Sequence, residues 1–190
     1  MISKKCKVCK KPNRPFKNTC SIECEAELGL KLLEKRKRVE AKNVRAIDKV
    51  RADKLKSRSD WMREAQQAFN RYIRARDENK PCICCGRIET KVTGLGAHGW
   101  DSGHYRSVGS APHLRFNENN VHAQSKHDNQ FLSGNAVQYR QGLIERIGLQ
   151  AVEELEADNT VKKWSIDDLK QIKELYKNKL KEMQKNDTTN

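Results

Sequence analysis

The stretch WDSGHYR, residues 100–106, sets a histidine directly after a glycine and three residues after an aspartate. It opens a run, residues 100–135, that reads WDSGHYRSVGSAPHLRFNENNVHAQSKHDNQFLSGN and holds four of the five histidines, with His98 just upstream and an unusual density of asparagine. Asp, Asn and His close together can hold a hard divalent cation through oxygen and imidazole, leaving another imidazole to take a proton from water. That is the equipment of metal-assisted phosphodiester hydrolysis. Any one of these residues alone reads as an ordinary polar loop group. Their clustering on a basic chain, next to a cysteine knuckle, is what gives them a joint role.

The knuckle is PCICCG, residues 81–86, with Cys82 and Cys85 in C-x2-C spacing, Gly86 for the turn and Cys84 left over. A redox pair would prefer a βαβ setting that is missing here, so metal is the better reading, although no second cysteine pair follows downstream. The other four cysteines, Cys6, Cys9, Cys20 and Cys24, sit in a segment with little apolar material that cannot fold on a core of its own. Their C-x2-C-x10-C-x3-C spacing can surround one tetrahedral zinc. Seven cysteines cannot all pair within the chain, and no apolar run forms a membrane span or signal peptide, so a reducing cytoplasm is expected, with metal ligands or free thiols rather than disulfides.

The chain has 190 residues, 36% of them hydrophobic, and a net charge of +14. That composition allows one modest core with appendages and favours a polyanionic partner. The charge is uneven: residues 31–80 carry 17 basic against 8 acidic side chains, whereas residues 150–190 are slightly acidic. The clamp on phosphates is therefore expected before residue 100.

Helical texture dominates on both sides of the histidine-rich run. From about Glu25 to Ser57 the sequence lacks proline and is rich in helix formers, with Val44, Ile47, Val50 or Arg51, and Leu55 as a thin apolar stripe. It reads as a solvated basic helix linking two modules, or as a rod lying along nucleic acid; the stripe is too narrow for a coiled coil and too polar for burial. A second helix is expected to start near a cap at Asp60, to bury Trp61, Ala65, Ala68, Phe69, Tyr72 and Ile73, and to stop before Pro81. Its other face carries Arg63, Arg71, Arg74 and Arg76, either for solubility or to meet phosphate. Asn135 can cap a helix ended by Gly148, a short acidic helix follows to about Asp158, and Ser165 with Asp168 forms a capping-box pattern ahead of a last amphipathic helix. The fold class is mainly α with a small α+β core. The organisation is a four-cysteine zinc module (1–25), a basic helical linker (26–57), a domain with flanking helices that carries the histidine-rich run (58–184) and a disordered tail (185–190).

The order of C-x2-C, then D-x-x-H in DSGHY, then LRFNENNVHAQ leading to an asparagine in HDNQFLSGN, resembles the NinG (Rap) recombination nucleases of lambdoid phages, a branch of the HNH or ββα-metal endonucleases. The likeness runs over nearly the whole chain. It implies a structure-selective, metal-dependent endonuclease acting on branched double-stranded DNA, such as Holliday junctions and displacement loops, in the host cytoplasm during phage recombination. It implies structural Zn2+, catalytic Mg2+ or Mn2+, no small-molecule cofactor and no membrane; symmetric cutting of a four-way junction would call for a homodimer.

By this resemblance a β-hairpin ending at GHY and a helix from about Asn120 form an HNH-like site. His104 is the general base, Asn120 holds the loop that bears it, Asn129 takes the place of the final metal-binding residue, and Asp101 is the second metal ligand. Gly103 stands where many relatives carry an acidic or histidine ligand. Relatives also carry a second C-x2-C where this chain has Ser125 and Asp128, so zinc is held either by Cys82 and Cys85 with Asp128 or His127, and with Cys84 recruited, or not at all. Arg106 and Arg115 flank the site and are candidate phosphate grips, and His122 is a candidate phosphate contact, while His98 and His113 are loop polar groups. The rival reading is a non-catalytic zinc-dependent DNA-binding or annealing protein with a decayed nuclease site. An RNA-directed module is disfavoured by the lack of an RNA-recognition motif.

Overall fold

The computed structural model describes residues 5–12, 17–88 and 100–187. His98 and residues 188–190 of the tail lie outside them. The chain divides into two compact units, residues 1–56 and 57–190, so the cysteine module and the basic helix belong to one unit.

In the first unit, helix α1 spans Ile22–Leu55, with Ser21 accepting the Cys24 N–H at its start, Glu23 and Glu25 in the first turn and Lys54 in the last. Charges of that sign at those ends complement the helix dipole. No residue of α1 is buried.

The second unit begins with α2, Arg58–Arg76. Its cap is Ser57 rather than Asp60: Asp60 is the third helical residue and accepts the Ser57 N–H at 3.0 Å, while its own N–H donates to Ser57 Oγ, a reciprocal box that satisfies two end donors. The helix buries Trp61, Ala65, Ala68, Phe69, Tyr72 and Ile73 against Phe116, Val121 and the final helix, α5 (Ile166–Asp187). Phe69 meets Tyr176 and Phe116 edge to face, with centroids 4.7 and 5.7 Å apart. The Ser165–Asp168 box opens α5 as expected. That helix continues through Asp187, so three of the six residues expected to be disordered are helical.

Two strands form the only sheet among the described residues: β1, Trp100–His104, runs antiparallel to β2, Val121–Ser125, with Gly103 opposite His122 and His104 opposite Val121. The segment expected as a helix from Asn120 is thus a strand. Four successive residues of β2, Val121 to Gln124, are buried, and only a strand between two helical layers buries both alternating faces. A π-helical turn, His127–Phe131, follows β2 and leads to α3 (Ala136–Ile147) and α4 (Leu149–Ala157). Asn135 precedes α3 at a left-handed φ of 47° and makes no side-chain cap; its amide is turned to Asp128 instead. α3 sits against the cysteine knuckle, where Gly142 leaves no space for a side chain beside the Ile83 carbonyl. The fully buried Tyr139 of α3 ties the sheet together, accepting the His122 N–H at 3.0 Å and donating to the Gly103 carbonyl at 2.9 Å.

Candidate active site and metal centres

The N-terminal thiols converge. Cys6, Cys9, Cys20 and Cys24 place their sulfurs within 4.8 Å of one another and could hold a metal such as zinc. Local chemistry builds the cluster: the Cys6 carbonyl accepts the Lys10 N–H, Lys10 takes a left-handed φ of 64° to close that turn, and Cys24 is fixed by the first turn of α1. Backbone donation from the knuckle, chiefly Cys9, pulls Cys6 down to about 6, toward the thiolate that a metal requires.

A second convergence lies at the other knuckle. Cys82, Cys85 and Asp128 bring a ligand atom each within 4.8 Å of one another. Ser125 Oγ donates to Asp128 Oδ2 at 2.5 Å, the Ser125 N–H donates to Cys82 Sγ at 3.2 Å, and Asn135 donates to Asp128 Oδ1 at 2.9 Å. Burial opposes ionisation of Asp128, but the bonds from Ser125 and Asn135 outweigh it and hold the carboxyl below its usual range. His127 is not part of this group; it is exposed and stacks on Phe131. Cys84 is turned toward the Gly134 carbonyl and accepts from Gln124, and its thiol helps to pull Cys82 down to about 5.

Around His104 the arrangement is specific. Its ring is half-buried and donates from Nε2 to the Arg115 carbonyl at 3.1 Å, which leaves the lone pair on Nδ1. Burial, helped by the Arg115 charge, outweighs the pull of the Arg115 and Ser102 carbonyls and lowers its pKa, so the imidazole is neutral near pH 7. The loop that supplies the Arg115 carbonyl is fastened by Asn120, which is fully buried. Its Oδ1 accepts the Arg106 N–H at 2.8 Å, and its Nδ2 donates to the carbonyls of Arg106 and Leu114.

Asp101 and Asn129 are brought together, with Asn129 Nδ2 donating to Asp101 Oδ2 at 2.9 Å and Gln130 to the same oxygen at 2.8 Å. They lie on the face of the sheet opposite His104, because residues three apart on a strand point to opposite sides. Ser102, on the His104 face, donates to the Asn70 carbonyl of α2.

A family model described as Bacteriophage Lambda NinG protein matches residues 1–187. The chain belongs to the NinG family. It is 41% identical over 178 residues to the protein ninG of Escherichia phage lambda, covering 86% of this chain and 82% of that one. Similarity to the ninG proteins of Salmonella phage P22 (42% over 178 residues) and Escherichia phage 933W (39% over 196 residues) covers 86% and 95% of the chain, and 83% and 93% of theirs. No solved structure matches.

Several side chains read as phosphate contacts have structural partners in this NinG-family fold. Arg106 is turned inward, donating to the carbonyls of Leu155, Glu156 and Asp158 at the end of α4, where unpaired carbonyls attract a cation. Arg115 donates to Gln66 of α2. His122 is buried in a cluster with Arg76, Arg146 and the fully buried Asp77, which also accepts the Ala123 N–H at 3.0 Å. Burial would raise Asp77, but His122 and Arg76 hold it far below the usual carboxylate range. His113, read as a loop polar group, packs against Asp158. Of the arginines on α2, Arg71 is exposed, and Arg74 lies one helical turn beyond Asn70, whose carbonyl meets Ser102.

Gln124 is the residue sequence reasoning missed. It is fully buried, and its Oε1 has no hydrogen-bond partner among the described residues. The oxygen occupies the space where a side chain at Gly103 would stand. Only the glycine before His104 hinted that something else fills that position.

Proposed function

We propose that this NinG-family chain is a structure-selective DNA endonuclease of the HNH or ββα-metal kind, hydrolysing phosphodiester bonds in branched recombination intermediates. The observation that carries the reading is His104: an imidazole whose burial lowers its pKa, whose Nε2 donates to the Arg115 carbonyl, and whose holding loop is locked by Asn120. The order strand with His104, loop with Asn120, second strand, then a turn with Asn129 supports the ββα assignment.

In this mechanism Nδ1 of His104 removes a proton from the water that attacks the scissile phosphorus, and the Nε2–H bond to Arg115 steadies the imidazolium that forms. Arg71 and Arg74 grip backbone phosphates, positioning the DNA without reading its sequence. Asp101 and Asn129, which the resemblance assigns to a hard divalent cation, would hold it on the sheet face opposite His104, where the Asp101 carboxylate accepts from the Asn129 and Gln130 amides. A cation held there would supply charge stabilisation to a phosphate brought to that face. The products carry 5′-phosphate and 3′-hydroxyl ends.

The opposite facing of Asp101 and His104 favours a second reading, a DNA-binding protein with a decayed site. Cleavage of a four-way junction with Mg2+ or Mn2+ separates the two. The nuclease reading expects His104→Ala to bind the junction unchanged and to cut about 10²- to 10⁴-fold more slowly. It fails if the unaltered protein never cuts or if the variant cuts equally well.

A further inference from the structure

We infer that α1 is a self-complementary surface on which a second copy of this chain docks, antiparallel, as a two-helix coiled coil. α1 buries none of its residues, yet Leu30, Leu33, Val44 and Ile47 each stand half or more exposed on it. With Lys37 and Glu40 they fall at alternating steps of three and four: 30, 33, 37, 40, 44, 47. That is the core spacing of a coiled coil. Read only from Val44 onward the stripe is thin. Extended back to Leu30 it becomes symmetric about a point between Arg38 and Val39.

The symmetry chooses the partner and its direction. Turned end for end about that midpoint, a second α1 sets Leu30 against the partner's Ile47, Leu33 against the partner's Val44, and Lys37 against the partner's Glu40, and each pair recurs once by the two-fold axis. Apolar meets apolar in four layers, and opposite charges meet in the central two. In the next layers outward Ala26 faces the partner's Arg51 without a like-charge clash, and Glu23 faces the partner's Lys54, of opposite charge. A parallel, in-register pair would instead stack Lys37 on Lys37, Glu40 on Glu40 and Arg51 on Arg51. Charged residues at core positions cost stability while fixing register and orientation, so a weak, reversible and orientation-specific dimer is the expected species. At about 1.5 Å per residue the shared core from Leu30 to Ile47 is roughly 26 Å long, short enough that dissociation at low concentration follows. This dimer does not depend on the nuclease reading and would form whether or not the chain cuts DNA.

Sedimentation equilibrium of the zinc-loaded full chain, freed of nucleic acid, tests it by charge exchange. The unaltered protein should move from 21.9 kDa toward twice that mass as its concentration rises. Lys37→Glu alone, or Glu40→Lys alone, places two like-charge contacts in the core and should weaken the dimer by about a hundredfold, tenfold per contact. An equimolar mixture of the two single variants should pair again, because all-Glu then faces all-Lys, and the double variant K37E/E40K should self-associate like the unaltered chain. Since Lys37 and Glu40 are exposed on α1, circular dichroism should show each variant folded. A protein that stays monomeric at every concentration, single variants that dimerise normally, or a mixture and double variant that fail to recover would each overturn the inference.

Discussion

Replacing Asn120 by alanine should destabilise the second unit far more than a polar-to-alanine change usually does. The side chain is fully buried and serves three backbone groups, the N–H of Arg106 and the carbonyls of Arg106 and Leu114. Each lost bond removes about 1 kcal/mol net, and a backbone group left unpaired and dry costs about 1–3 kcal/mol. The expected loss is therefore at least about 3 kcal/mol, a large share of the roughly 5–15 kcal/mol that holds a typical domain. Urea unfolding followed by tryptophan fluorescence isolates this unit, because Trp61, Trp100 and Trp164 all lie within it. With a slope near 2 kcal/mol per molar, the midpoint should fall by about 1.5 M. Asn120→Asp sharpens the test. It keeps an acceptor for the Arg106 N–H but aims an anionic oxygen at two carbonyls, so its folded pKa is raised. At neutral pH it should be no better than alanine, and it should gain on alanine as acid protonates it. A midpoint shift worth less than about 1 kcal/mol for alanine, at unchanged slope, would refute the picture of Asn120 as the fastening of the loop.

Metal analysis of the purified chain should find two zincs per molecule, and Asp128→Ala should lower this to one, the ion lost being that of Cys82 and Cys85; a content unchanged by the substitution would remove Asp128 from the site. Gly103→Ala should be poorly tolerated because its methyl group would fall on the Gln124 amide, and a double variant that also shortens residue 124 to alanine should recover part of the stability in thermal melts. Burial depresses both His104 and His122 below about 6.5, so the unfolded chain binds more protons in the window beneath that value. The stability they contribute is complete above that window and declines as pH falls through it, which denaturant midpoints at neutral and mildly acidic pH will show. On the nuclease reading, the acid limb of the cleavage rate should have its midpoint below about 6.5, and a midpoint above that would assign the limb to another group.

Sequence periodicity carried the helices well, because α2 buries one continuous stripe and α5, which announces its start with Ser165 and Asp168, seats Leu169 and Tyr176 in the same core. It failed at β2, whose residues Val121 to Gln124 are buried on both faces and so lack the alternation that marks a half-exposed strand. The caps misled where side chains had better partners: Asn135 serves Asp128, and Asp60 serves Ser57 from inside the helix. For the site, the thiol clusters were legible because knuckle spacing is local. Arg106, His122 and Asp77 were not, since an arginine that caps a distant helix looks in one dimension like an arginine that grips a phosphate. Gln124 could not be seen because its role depends on what Gly103 lacks across the sheet.

Tyr139 and Gly142, one turn apart on α3, give that helix two attachments of different kind. Gly142 seats it on the knuckle of Cys82 and Cys85, and the Tyr139 hydroxyl clasps the carbonyl next to His104 and the amide across from it. α3 is thus a lever with one arm on the cysteine knuckle and the other on the strand that carries the imidazole. Were an ion held by Cys82, Cys85 and Asp128, its removal would loosen the first arm, and on the nuclease reading the strand carrying His104 would feel it through the second.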